Sequence, residues 1–322
     1  MPRSIQNSVI LFKPETTSGT DAAPTAAADA VLFNVSDLQP DINQLTADRA
    51  VGRGFFAGAD TIAYDRRGSI KFSVELAGAG AAGVAPSWGD LLICCAMSET
   101  VTAGSRVEYL PASTNLKTAT IWAYIDGVLT KFAYCAGTVV FDFTVGQIPK
   151  ATFTFTGLVS TDPATAATPT ATLTSWKRPR VFSKGVGSMT HGGSYSAGVI
   201  SGGTSVSIQS ASIDMANDVK DRALSSGADV AVYGRNPSAS IVYDLSAADE
   251  VQAWTDMAAG TSTALAITHQ SSAAAGDKIQ LFMPVGIRSA IANQLDGNVI
   301  YKKCDWRIQP SAGNDELRIV LS

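Results

Sequence analysis

Arg66-Arg67-Gly68-Ser69-Ile70-Lys71-Phe72-Ser73-Val74-Glu75-Leu76 is the stretch whose reading decides the fold class. Ile70, Phe72, Val74 and Leu76 alternate with Lys71, Ser73 and Glu75, the period of two that marks a strand buried on one face. The arrangement returns 169 positions later as Arg235-Asn236-Pro237-Ser238-Ala239-Ser240-Ile241-Val242-Tyr243-Asp244-Leu245. A repeat of that length is a whole domain, not a short solenoid unit.

The 322 residues leave room for two domains of about 150 residues each. The expected division is 1–156 for the first, 157–176 for a linker rich in Thr, Pro, Ala and Asp, and 177–322 for a second, diverged copy. Charged residues make up 16% of the chain, below the usual ~25%. A weakly charged surface suits a protein that hides much of itself in an assembly. The net charge of -4 argues against a nucleic-acid-binding face, and the one dense basic cluster, Lys177-Arg178-Pro179-Arg180, reads as linker or subunit contact. No run of 18 apolar residues exists, so no membrane-spanning helix is expected, and the N-terminus lacks the apolar run of a signal peptide. Cys94, Cys95, Cys135 and Cys304 show no metal-site spacing and read as buried small hydrophobes in a reducing compartment.

Outward from the repeated strand, residues 1–30 read as an extended arm and loop. A short helix is expected over Ser87 to Met97, with Ser87 as cap and Trp88 as core anchor. Residues 98–118 read as the largest loop of the first half. Ala119 to Ile125, the turn Asp126-Gly127 and Val128 to Tyr134 form a hairpin. Thr138 to Val145 and Ala151 to Thr156 follow, the latter with phenylalanines on one face and threonines on the other. In the second half, a helix is expected at about 247–259, with Trp254 as the counterpart of Trp88. Gly137-Thr138-Val139-Val140 looks echoed by Gly297-Asn298-Val299-Ile300, and Gly146-Gln147-Ile148-Pro149 by Pro310-Ser311-Ala312-Gly313. The fold class that follows is mainly β: two tandem β-sandwich or barrel domains, each with a short flanking α-helix.

Catalytic chemistry has no foothold in these patterns. His191 and His269 are the only histidines and lie far from other metal ligands in sequence. Asp41, Asp60 and Asp65 are too scattered for a calcium loop. Gly192-Gly193 and Gly202-Gly203 match no phosphate-binding loop, and Ser188 and Ser194 sit on no nucleophile elbow. The expectation is no enzyme, no cofactor and no metal. The rival to an architectural role is a carbohydrate-binding or adhesin module on a virion or cell surface, which loop-borne tryptophans would favour. Trp122, Trp254 and Trp306 lie instead within periodic segments; Trp176, at the end of the linker, is the exception.

Residues 66–157 resemble a known family. The series runs from Arg66-Arg67-Gly68-Ser69 through Pro86-Ser87-Trp88-Gly89-Asp90-Leu91-Leu92 and Ala119-Thr120-Ile121-Trp122-Ala123-Tyr124-Ile125-Asp126-Gly127 to Gly146-Gln147-Ile148-Pro149-Lys150-Ala151-Thr152-Phe153-Thr154-Phe155-Thr156-Gly157. This succession is similar to the major tail tube protein of long, non-contractile bacteriophage tails. The resemblance implies a structural virion protein that forms stacked rings, a tube conducting double-stranded DNA without sequence-specific binding. It implies assembly in the host bacterial cytoplasm and neighbours at the tail terminator, tape measure and distal tail proteins. Together with the repeat it favours a trimer of pseudo-six-fold symmetry, with a hexamer as alternative. Tube-wall strands are then expected at Ile70, Phe72, Val74, Val139, Phe141 and Phe143, and in the second half at Ile241, Tyr243, Val299 and Tyr301. Ring-to-ring contacts are expected at Val9, Leu11, Phe12, Val107 and Tyr109.

Overall fold

The alternating stretch becomes strand in the computed structural model, which describes residues 2–56, 58–225, 227–270 and 275–322. Ile70, Phe72 and Val74 are buried while Lys71 and Glu75 face outward. The chain is mainly β, 57% strand against 6% helix, and its antiparallel sheets close into no barrel.

The first half contains β1 (Ser8–Pro14), β2 (Ala30–Val31), β3 (Asn34–Arg49), β4 (Asp60–Glu75), α1 (Gly89–Ile93), β5 (Met97–Thr102), β6 (Arg106–Pro111), β7 (Ala119–Ile125), β8 (Val128–Thr144) and β9 (Lys150–Thr165). The second contains β10 (Gly187–His191), β11 (Ser194–Ser196), β12 (Val199–Ser201), β13 (Thr204–Val206), β14 (Ile208–Asp214), β15 (Asn217–Leu224), β16 (Gly227–Arg235), β17 (Ser238–Tyr243), α2 (Ala247–Ala259), β18 (Ser262–Gln270), β19 (Lys278–Asp296), β20 (Val299–Gln309) and β21 (Arg318–Leu321).

Hydrogen bonding repeats with the sequence. The first half pairs in the order β2–β1–β7–β8–β9–β4–β3. The second pairs in the order β13–β10–β18–β19–β20–β17–β14. Each half places its helix after the repeated strand, β4 or β17. The sandwich of the first half closes where Phe12 of β1 meets Phe155 of β9 at 5.2 Å, with Phe72 and Phe153 stacked alongside. Trp88 is 1% exposed and donates its indole N–H to the Ala77 carbonyl at 2.8 Å, so its polar end is satisfied inside the core.

Several expectations need correction. Residues 1–30 are not all arm: β1 lies between β2 and β7, and Ile10, Leu11 and Phe12 are core. Residues 98–118 hold the hairpin β5–β6, whose second strand pairs with β21 of the other half. Val107 and Tyr109 are therefore buried within the chain. Ser87 does not cap α1, which has no side-chain cap, whereas Ser246 does cap α2 through the Asp249 N–H. Trp254 is 45% exposed and is not a core anchor. Residues 157–165, expected in the linker, continue β9 because Leu158 and Val159 still pair with β8.

The two glycine echoes also fail. Gly137 sits mid-strand in β8, where a Cβ would strike the Phe155 ring at 2.6 Å, while Gly297 occupies the β19–β20 turn at φ 58°. The strand partners equate β20 with β9, not with β8, so Val299 and Tyr301 stand opposite the expected set. Turn chemistry recurs wherever a hairpin does and is a poor guide to register.

Candidate assembly surface

The two halves are joined edge to edge. β14 pairs with β17 on one side and with β8 on the other, through Ser210↔Thr144, Ser212↔Asp142 and Asp214↔Val140. The result is one run of eight strands, β3–β4–β9–β8–β14–β17–β20–β19. Its inner side packs on the cores through Phe153, Phe155, Ile213 and Ile241. Its other side carries Thr138, Asp142, Thr152, Thr154, Ser212 and Ser240, half-buried and hydroxyl-rich. The threonine face read from the sequence is therefore the side of this sheet turned away from the cores. The side chains of Ile70, Phe72, Val74, Val139, Phe141, Phe143, Ile241 and Tyr243 belong to its strands but point into the cores.

The run ends in two strand edges with no partner among the described residues. β3 pairs only with β4, and beyond Arg288 β19 pairs only with β20. These are the edges that β14 and β8 use on each other. Strand partners carry one half onto the other: Gln39 opposite Lys71 matches Ser212 opposite Ser240, and Gln294 opposite Tyr301 matches Asp142 opposite Lys150. Leu295 thus stands where Phe143 stands. Phe143 is 0% exposed, against Phe182 at 5.6 Å, and Leu295 is 69% exposed.

Beyond the wall, each half extends a hairpin, the outer part of β3–β4 in the first and β15–β16 in the second. Both carry a bulge that skips a tyrosine, Tyr64 and Tyr233, and both are cross-linked by an ion pair at the same place, Arg49–Asp60 and Arg222–Asp229. Asp229 is held below the usual carboxylate range by its hydrogen bond from Arg222. Sequence reading missed this extension of the repeat because its residues share charge placement, not hydrophobic pattern.

Chemistry-bearing side chains stay dispersed. Among the described residues no group of three or more His, Cys, Asp or Glu is placed to hold a metal ion. His269 is fully buried against Phe182 at 6.0 Å, and burial, with the charge of Arg180, pushes its pKa down to about 4. His191 is likewise lowered to about 4 by burial and by Arg288, and its ring shares a 2.9 Å hydrogen bond with the Tyr243 hydroxyl. A cavity of about 320 Å³ is lined by Phe12, Asp29, Asp90, Glu99 and Trp176. Burial, together with Glu99 and Asp29, raises the Asp90 carboxyl above its ordinary value. Trp176 donates its N–H to the Ala30 carbonyl at 3.1 Å, and the ring of Trp122 lies 3.7 Å under the Lys131 ammonium. Trp306 is 1% exposed. The cysteines are free and buried, and burial raises every one of their thiol pKa values. No described helix is long and apolar enough to cross a membrane.

The structure is a duplicated β fold whose two outer strand edges have no partner among the described residues. The family model for phage tail tube proteins matches residues 5–300, and the chain belongs to that family. The match reaches into both halves. Its family makes it a structural virion protein of the bacteriophage tail. A search of curated proteins finds no match.

Proposed function

We propose that this chain forms the wall of a tail tube in rings of three copies, each copy supplying two wall modules. The observation that carries the reading is the β8–β14 pairing. One chain already contains the joint between two modules, and its two outer edges repeat the two sides of that joint. Pairing β19 of one copy with β3 of the next is a head-to-tail contact, and such contacts close into rings when the rotation fits. It also removes two exposed edges that would otherwise template aggregation.

Strand number favours three copies. Eight strands per chain give twenty-four per ring, and at about 4.8 Å per strand the backbone diameter is roughly 37 Å before strand tilt. That leaves a central channel after side chains are added. Six copies would double the circumference, or would require half of each continuous eight-strand run to leave the wall. The hydroxyl-rich face then lines the channel. Scattered lysines such as Lys71 and Lys150 are offset by Glu75 and Asp37, the latter 3.1 Å from Lys150. A duct for DNA works only if phosphates slide past, and a lining without a basic stripe meets that need. The same reading places the chain between terminator and distal tail proteins around a tape measure, assembled in the host cytoplasm and used for genome delivery.

Cryo-electron microscopy of tubes grown from purified protein tests this. Three chains per ring with both halves in the wall is the expected result. Rings of six chains with the second half outside the wall would overturn it. A disulfide between Gln39→Cys and Gln294→Cys of adjacent copies is the biochemical counterpart.

A further inference from the structure

The hairpin β15–β16 does not stand free. It lies across the first half of its own chain, over β8 and β9. Asn217 at its base donates to the Cys95 and Gly137 carbonyls at 2.8 and 3.0 Å and is 8% exposed. The Asn217 N–H reaches the Thr138 hydroxyl at 3.1 Å, Met215 is fully buried, and Asp221 holds Arg67 at 2.8 Å.

The matching hairpin of the first half has none of this cover. Its residues correspond one for one: Ile42 to Met215, Gln44 to Asn217, Asp48 to Asp221, Arg49 to Arg222 and Asp60 to Asp229. Ile42 is 37% exposed where Met215 is 0%, and Gln44 and Thr61 are exposed where Asn217 and Val230 are buried. Phe55, Phe56, Ile62 and Tyr64 are 70%, 109%, 53% and 62% exposed along the same arm. Such a concentration of exposed apolar side chains marks an unmade contact.

We propose that the Ile42–Tyr64 arm clasps the second half of the neighbouring copy within the same ring, as β15–β16 clasps the first half of its own chain. The occupant of the surface over β19 and β20 is therefore a second copy of this chain, and the contact is continuous with the β3–β19 joint. This inference rests on the ring reading above and adds to it a lateral role for the outer part of β3–β4. Carried across by strand partners, the Asn217–Thr138 contact becomes Gln44 against Ala290 of the neighbour, because Thr138 opposite Thr154 matches Ala290 opposite Asp305. Both positions are exposed in the single chain.

Cysteine cross-linking separates the two ideas, and the four native cysteines, all buried, give little background. Gln44→Cys with Ala290→Cys probes the arm; Gln39→Cys with Gln294→Cys probes the strand joint. Both pairs are oxidised in assembled tubes and run on non-reducing gels. Covalent oligomers up to trimers from both pairs are expected. Trimers from the joint pair alone overturn the clasp and leave the ring intact. Trimers from the arm pair alone keep the clasp and overturn the joint, and oligomers from neither overturn both. A second variant joins Ala47 to its strand partner Ile62 through Asn-Gly, deleting the outer arm. It should keep the melting temperature of the monomer and raise the protein concentration needed for tube growth at least tenfold. Unchanged tube growth would sink the clasp.

Discussion

Phe143 and Leu295 occupy the same place in the two halves of this chain and have opposite surroundings. Phe143 is sealed by Phe182 and by β14, while Leu295 sits on a bare strand edge. The same contrast holds for Met215 and Ile42 on the two hairpins. Equivalent positions differ because only one of the two module joints is made within a single chain. The covered member of each pair shows what the exposed one is built to meet.

Breaking the covered member should cost the most. Phe143→Ala is expected to destabilise the monomer by about 3–5 kcal/mol, because a fully buried ring leaves a cavity between the halves. Chemical denaturation of dilute protein measures this. A loss near zero would mean that the joint between halves contributes little to the fold.

Acid should act at the same seam. His269 packs on Phe182, and its folded pKa of about 4 lies below the ordinary 6.5 of a histidine. Between those values the unfolded chain binds the proton and the folded chain does not, so stability falls as pH drops from about 6.5 to 4. The full effect is roughly 3 kcal/mol for a shift of this size. His191 is lowered alike, so His269→Leu should remove about half of the combined fall in a pH series of melting curves; an unchanged slope would assign the acid sensitivity elsewhere.

A smaller loss is expected at the clasp inside the chain. Arg67 is 7% exposed and holds both Asp65 and Asp221. Arg67→Met should cost about 1–3 kcal/mol, at the modest end because both carboxylates keep water. Faster amide exchange confined to β15–β16 would sharpen the assignment, and uniform exchange across the chain would break it.

Leu295→Ala should change monomer stability least, within about 0.5 kcal/mol, as exposed substitutions do. Its effect belongs to assembly: slower tube growth by light scattering, at unchanged melting temperature. If Leu295→Ala matches Phe143→Ala in unfolding, the two positions are not a covered and an uncovered version of one contact.

Much of the fold was legible because it depends on local periodicity. Ile70 to Leu76, the Asp126-Gly127 turn and the helix at 247–259 all follow from spacing and turn residues, and the helix bounds agree with Ala247–Ala259. Trp254 shows where that reading stops. A tryptophan at helical spacing looks like core, but α2 turns it outward, and nothing in the spacing says what covers a helix. Val107 and Tyr109 err the other way, polar surroundings suggesting a loop until β21 arrives from more than 200 residues away to bury them. The candidate surface was legible as a set of strands and not as edges, since an edge is defined by which neighbour is missing.

The sequence by itself determined that this is a duplicated, mainly β chain whose repeated strand alternates apolar and polar residues. It determined the threonine face and the absence of local catalytic motifs as well, because side-chain period and turn chemistry act over a few residues. Only the tertiary structure decided the register of the repeat, the pairing of β8 with β14, and the two edges left open. Those depend on hydrogen bonds between segments some seventy residues apart and further, where the local pattern fits several partners equally well and the packing of the whole chain selects one.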